Sequence, residues 1–170
     1  KNSPRRLRAA PPTRYRGPVR VLVIEDDDAI RSVVERGLRA EGFDVDACTD
    51  GVAGLWKLLE GGYAAVVLDL LLPGMNGYTV CARARAEGVT TPILVLTAKN
   101  GEYDQIDLLD SGADDFLTKP ASIALIAARL RVLIRRDNAL SSNLIARGQL
   151  RYDLGMRECT VADASVVLTS

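Results

Sequence analysis

Val66-Val67-Leu68-Asp69-Leu70-Leu71-Leu72-Pro73-Gly74 is an apolar run interrupted by one carboxylate and closed by a Pro-Gly turn signal. A solvent-avoiding strand keeps an acid at its end only where something compensates it, because burying an unpaired ion costs several kcal/mol. Three further segments have the same form. Val21-Leu22-Val23-Ile24 runs into Glu25-Asp26-Asp27-Asp28, Ile93-Leu94-Val95-Leu96 runs into Thr97-Ala98, and Phe116-Leu117-Thr118 runs into Lys119-Pro120. Short apolar runs that each end in a charged or hydroxyl residue are the layout of a parallel sheet with its working groups on one edge.

Working outward, strand-like runs alternate with helical periodicity from about Val19 to Arg136, which predicts an α/β, doubly wound parallel sheet with helices on both faces. Five such repeats are countable. The first helix carries Ile30, Val33, Val34 and Leu38 on one stripe, with Asp28 where an N-cap belongs and Gly42 past its end. The last carries Ile123, Ile126, Leu130, Leu133 and Ile134, begins at Ser122 and closes on Arg135-Arg136, where cations suit the helix dipole. Between them strands are expected near 44–48, 65–70, 92–97 and 115–118, and helices near 51–60, 77–87 and 102–110. Residues 137–148 lose periodicity and read as a linker. Beyond it Leu150–Leu154, Cys159–Val161 and Val166–Leu168 form a short antiparallel β-meander, too small to stand alone.

Composition bounds the class. No apolar run approaches the ~20 residues of a membrane span, and no secretion signal is visible, so a cytoplasmic protein without membrane contact is expected. Cys48, Cys81 and Cys159 are widely spaced and there is no histidine, which argues for packed thiols rather than a soft-metal site. The net charge of zero hides an asymmetry: seven of the 22 basic residues lie in residues 1–20, which contain no acid. Residues 1–18 therefore read as a mobile basic Pro/Arg-rich arm, with nucleic-acid or partner contact as the other reading.

Glu25-Asp26-Asp27-Asp28 alone is an acidic helix start, Thr97 an ordinary strand residue and Lys119 a solvated lysine. Together, at the ends of neighbouring strands, they are a site. Glu25, Asp26 and Asp69 would gather about three negative charges, each close pair repelling by roughly 3–4 kcal/mol at an effective dielectric of ~20. A hard, oxygen-preferring cation relieves that repulsion, and three carboxylates without His or clustered Cys suit Mg²⁺. A carboxylate beside Mg²⁺, an ammonium and a hydroxyl can attack phosphorus and form an acyl phosphate. Lys119 and Thr97 are placed to bind two of the phosphoryl oxygens.

Val-Ile-Glu-Asp-Asp (23–27), Leu-Asp-Leu-Leu-Leu-Pro-Gly-Met-Asn-Gly (68–77), Val-Leu-Thr-Ala-Lys (95–99) and Gly-Ala-Asp-Asp-Phe-Leu-Thr-Lys-Pro (112–120) together resemble the receiver domain of two-component response regulators. The middle and last motifs resemble the OmpR/PhoB subfamily. That resemblance implies a flavodoxin-like (βα)5 receiver over residues 19–136. It makes Asp69 the phospho-acceptor, with Mg²⁺ held by Glu25, Asp26, Asp69 and the Leu71 carbonyl. Thr97 and Lys119 would be the catalytic contacts, Thr97 and Phe116 the switch pair, and a sensor histidine kinase the phosphoryl donor. Activation would form a homodimer through a face that includes Asp115, Arg129 and Arg131. Residues 149–170 would open an incomplete winged-helix DNA-binding domain.

Three departures stand out. Phe116 replaces the usual Tyr, Ala121 replaces a Phe counted with the dimer face, and Gln105 and Leu125 stand where an Arg–Glu pair is common. Asp115 and Arg129 keep another such pair. Two alternatives compete with a phosphorylation-controlled transcription factor: a receiver acting only as a protein-binding module, and a haloacid-dehalogenase-like phosphatase. The last places its nucleophile in Asp-x-Asp on the first strand, whereas Asp69 lies on the third and is followed by Leu70-Leu71.

Overall fold

The computed structural model describes residues 19–98, 108, 110–142, 144–147, 150–153, 158–161 and 164–166. The arm at residues 1–18, Gln105 and most of the expected helix at 102–110 lie outside these, although Leu108 and Asp110 are helical and Leu108 is buried. The five predicted parallel strands are β1 (Arg20–Ile24), β2 (Asp44–Cys48), β3 (Ala65–Asp69), β4 (Ile93–Thr97) and β5 (Asp115–Thr118), ordered 2-1-3-4-5. This is the flavodoxin-like order, whose switch point falls between β1 and β3. Helices α1 (Asp28–Ala40), α2 (Gly51–Glu60), α3 (Gly77–Ala86) and α4 (Ile123–Ser142) complete the described layers.

Why the strands read as unbroken apolar runs is visible in the packing. Val21, Val23, Val67, Leu94 and Leu96 face α1 and α4, while Leu22, Ile24, Val66, Leu68, Ile93 and Val95 face α2 and α3. Both faces are covered, so no position in β1, β3 or β4 selects a polar residue until the strand ends. Cys81 on α3 is fully buried, and burial pushes its thiol up to about 11; Cys48 is half-buried and is likewise pushed up to about 11. Only the thiolate alkylates. Cys81 will therefore resist iodoacetamide at pH 8 in the native protein and react after urea unfolding, as peptide mapping of the two samples will read. Ready native labelling would contradict the burial.

Two helix boundaries differ from expectation. The N-cap of α1 is Asp27, not Asp28: Asp27 is extended and its Oδ1 accepts from the amides of Ala29 and Ile30 at 2.8 and 2.9 Å. Four consecutive acids offered the sequence pattern no way to choose. Gly42 does close the helix, with φ +91° and its amide on the Arg39 carbonyl. Helix α4 continues to Ser142, so Arg135 and Arg136 are not its last turn and residues 137–142 are helical rather than aperiodic. No Gly or Pro occurs between Pro120 and Gly148, and polar Asp137 and Asn138 are compatible with a helix.

A fourth strand, β6 (Leu144–Arg147), follows almost at once and pairs antiparallel with β7 (Leu150–Asp153). β8 (Glu158–Val161) and β9 (Ala164–Val166) extend the sheet in the order 6-7-8-9. The predicted three-stranded meander thus has four strands. Leu144-Ile145-Ala146-Arg147 carries no strand signal in the sequence, because it lacks alternation and follows the helix directly. The register sets Ile145, Tyr152, Cys159 and Val166 in one cross-strand row.

Candidate functional site

The carboxyl ends of β1, β3, β4 and β5 bring five of the predicted residues to one edge. Glu25 follows β1, Asp69 ends β3, Thr97 ends β4 and Lys119 follows β5; all three of Glu25, Asp69 and Thr97 are buried. Asp26 stands beside Glu25 and is exposed. One oxygen each from Glu25, Asp26 and Asp69 lie within 4.8 Å of one another. Across this acidic group lies the Lys119 ammonium, 2.8 Å from Glu25 Oε2 and 3.3 Å from Asp69 Oδ2. Opposite charge thus comes from a residue 94 positions from Glu25 in sequence, a link only the sheet order could make.

Local backbone fixes each group. The Lys119 amide donates to the Thr97 carbonyl at 2.8 Å, which ties the ends of β4 and β5 together, and the Lys119–Pro120 bond is cis. Asp69 Oδ1 accepts from the amide of Leu70 at 2.7 Å, leaving Oδ2 toward the lysine. Beyond it the chain doubles back so tightly that the Gly77 amide meets the Leu70 carbonyl at 2.9 Å. A Cβ on Gly77 would sit 2.4 Å from the Asp69 carbonyl oxygen. Gly77 belongs to the motif at 68–77, but this close approach had no signal in the sequence beyond the residue type. Leu71, two residues past Asp69, is 66% exposed in that loop.

The electrostatics follow from burial. Burial raises the Glu25 pKa above its ordinary value of 4.5; the Lys119 hydrogen bond opposes the rise and the Asp69 charge adds to it. Burial works against the charge of Lys119 too, but its bond to Glu25 and the nearby Asp69 outweigh that and hold it above its ordinary value. A carboxyl raised in the folded state adds stability that is present below its unfolded pKa and lost as pH rises through the folded one. Lys119→Met strengthens this dependence by removing the cation. In metal-free buffer the variant will be less stable than wild type by about 2 kcal/mol at pH 7, and the gap will narrow toward pH 5. Urea unfolding at pH 7, 6 and 5 reads it, and a gap independent of pH would refute the assignment of the cation's role.

The side chains on and after β5 find different neighbours. Phe116 is half-buried against the core on the α2/α3 side. Arg129 Nη1 lies 3.1 Å from Asp115 Oδ2 within one chain, so this pair is already closed without a partner. Arg131, two positions on and roughly 200° round the helix, instead reaches Glu41 at the end of α1 at 3.1 Å. Ala121 packs toward the α1/α4 core and lines an open apolar groove of about 710 Å³ with Ile30, Val33 and Ile123. Leu125 is 43% exposed.

Residues 21–131 match the response regulator receiver domain family. The chain belongs to that family. The receiver is similar to the transcriptional regulatory protein TcrA of Mycobacterium tuberculosis, 42% identical over 151 residues that cover 89% of this chain and 60% of TcrA. The chain thus spans about three fifths of that relative's length. The Francisella response regulator 1452 receiver domain superposes with a TM-score of 0.68 at 30% identity, covering 71% of this receiver's chain and 99% of that one. The receiver domain of sensor histidine kinase PA1611 from Pseudomonas aeruginosa, solved with a magnesium ion coordinated in its active site cleft, gives 0.66 at 29% identity over 70% and 99%. The receiver's relatives include OmpR/PhoB-type transcriptional regulators, and among its described residues no helix is long and apolar enough to cross a membrane.

Proposed function

We propose that this receiver takes a phosphoryl group on Asp69 from a sensor histidine kinase and uses it to control dimerisation, DNA binding and transcription in the cytoplasm. One observation carries the reading. The Lys119 ammonium bridges two buried carboxylates, and a third carboxylate completes an oxygen-only donor set beside them. That donor set fits a hard divalent cation. Glu25, Asp26, Asp69 and the Leu71 carbonyl would hold Mg²⁺, which when bound neutralises charge on the transferring phosphoryl group.

Asp69 Oδ2 is the attacking atom. It forms the new O–P bond as the bond from phosphorus to the donor nitrogen breaks, and the electron pair leaves with the imidazole. Lys119 moves from Asp69 to a phosphoryl oxygen, and Thr97 donates to another. Thr97 is tied through its carbonyl to Lys119, so a pull on one strand end is felt by the other, and half-buried Phe116 on β5 follows. Phe116 has no hydroxyl to anchor its inward position, so its rotation would depend on packing alone. The face around β5, with Asp115 and Arg129, then pairs with a second copy, exchanging the internal ion pair for one across the dimer. The sheet β6–β9 opens a winged-helix DNA-binding domain, a reading supported by its antiparallel order and by the transcriptional relatives.

Intact mass and light scattering after incubation with acetyl phosphate and Mg²⁺ test this together. A gain of one phosphoryl group with a shift toward dimer is expected. An unmodified protein that binds Mg²⁺ and stays monomeric would overturn the phosphorylation reading in favour of a phosphate-independent binding module.

A further inference from the structure

Arg31 belongs to none of the motifs that define the site, yet it touches the backbone of both acids that follow β1. Its Nη1 donates to the Glu25 carbonyl at 3.0 Å and reaches the Asp26 carbonyl at 3.4 Å. Its Nη2 is held by the Asp28 carboxylate, and its Nε lies 3.8 Å from Glu35 Oε1. The side chain is only 16% exposed although it leaves the first turns of a surface helix. The guanidinium is thus gripped by two carboxylates of α1 on one side, and grips two carbonyls of the preceding turn on the other.

We infer that Arg31 is a positioning residue for the divalent-cation site: its planar fork locks the turn that carries Glu25 and Asp26, so that their carboxylates converge on Asp69. This rests on the Mg²⁺ reading above. As a bare charge near the acids, Arg31 repels an incoming cation, and removing it would tighten cation binding. As a brace it does the reverse, because three ligands that must meet within a few ångströms bind well only if the chain holds them there beforehand. Four separate contacts from one planar group favour the brace. A lysine at this position keeps the charge but, as a single compact ammonium, cannot span the two carbonyls and both carboxylates.

Calorimetric titration of MgCl₂ into wild type, Arg31→Gln and Arg31→Lys tests the inference, with urea unfolding of each in metal-free buffer. Both variants are expected to bind Mg²⁺ about tenfold or more weaker, the scale seen when ligand-supporting groups are removed. Arg39→Gln is the control for stability. It loses the 3.0 Å contact to Glu35 and the 2.8 Å bond to the Val45 carbonyl without touching the site, and should keep wild-type Mg²⁺ affinity. Unchanged or tighter binding in Arg31→Gln would overturn the inference, as would wild-type affinity in Arg31→Lys or an equal loss in Arg39→Gln. Failure of wild type itself to bind Mg²⁺ would remove the metal reading and the inference with it.

Discussion

Asp69→Asn will take up no phosphoryl group from acetyl phosphate in the presence of Mg²⁺, and in metal-free buffer it will be at least as stable as wild type. The first half follows from chemistry: an amide is neither the nucleophile nor the leaving group that an acyl phosphate needs. The second half runs against the usual outcome at a buried, hydrogen-bonded position, where substitution costs stability. Asp69 is 7% exposed and faces buried Glu25 with one ammonium between them, 2.8 Å from one acid and 3.3 Å from the other. Neutralising one acid leaves the lysine paired with Glu25 and removes a repulsion. Side-by-side mass spectrometry and urea unfolding measure both halves. Phosphoryl uptake by the variant would move the acceptor elsewhere, and clear destabilisation would show that Asp69 contributes more through its bonds to Leu70 and Lys119 than it costs by repulsion.

Gly77→Ala is the second large effect, and it comes from space rather than charge. Ala is normally the better helix residue by about 1 kcal/mol. Here the added carbon would meet the Asp69 carbonyl oxygen at 2.4 Å and the Leu70 Cα at 2.9 Å. Both are main-chain atoms at the end of a fully buried strand and cannot swing aside as a side chain could. We expect a loss of about 3 kcal/mol, the upper end of the usual cost of overpacking. Phosphoryl uptake should slow as well, because the displaced chain carries Asp69, the proposed acceptor. Urea midpoints and the rate of mass gain check the two effects, and a stability within 0.5 kcal/mol of wild type, the range of an ordinary surface change, would refute the close-approach argument.

The sequence was most informative where one physical constraint acted alone. Strands buried on both faces must be apolar throughout and can turn polar only at their ends, so Asp69, Thr97 and Lys119 stood out and the five parallel strands could be placed to within a residue or so. Legibility failed where several residues satisfied the same local rule. Any of Asp26, Asp27 and Asp28 could cap α1, and only the backbone shows that Asp27 does. It failed again at α4, where the loss of periodicity after Arg136 suggests a linker though residues 137–142 are helical. Surface groupings were least readable. Arg131 and Arg129 are two residues apart in a basic stretch, but the helix turns one toward Glu41 and the other toward Asp115. Arg31 gave no signal at all, since its role lies in which backbone oxygens it reaches.

The lysine bridge would make the proposed phosphoryl capture an exchange rather than an addition. Lys119 is not waiting in solvent; it already has two carboxylate partners, and one is Asp69, the proposed acceptor. Its new bond to a phosphoryl oxygen therefore contributes only by the difference from the bond it leaves. Glu25, 2.8 Å from the same ammonium, would set how small that difference is. A receiver could thus be made slower or quicker to saturate by changing the grip of Glu25 on Lys119 while leaving the acceptor untouched.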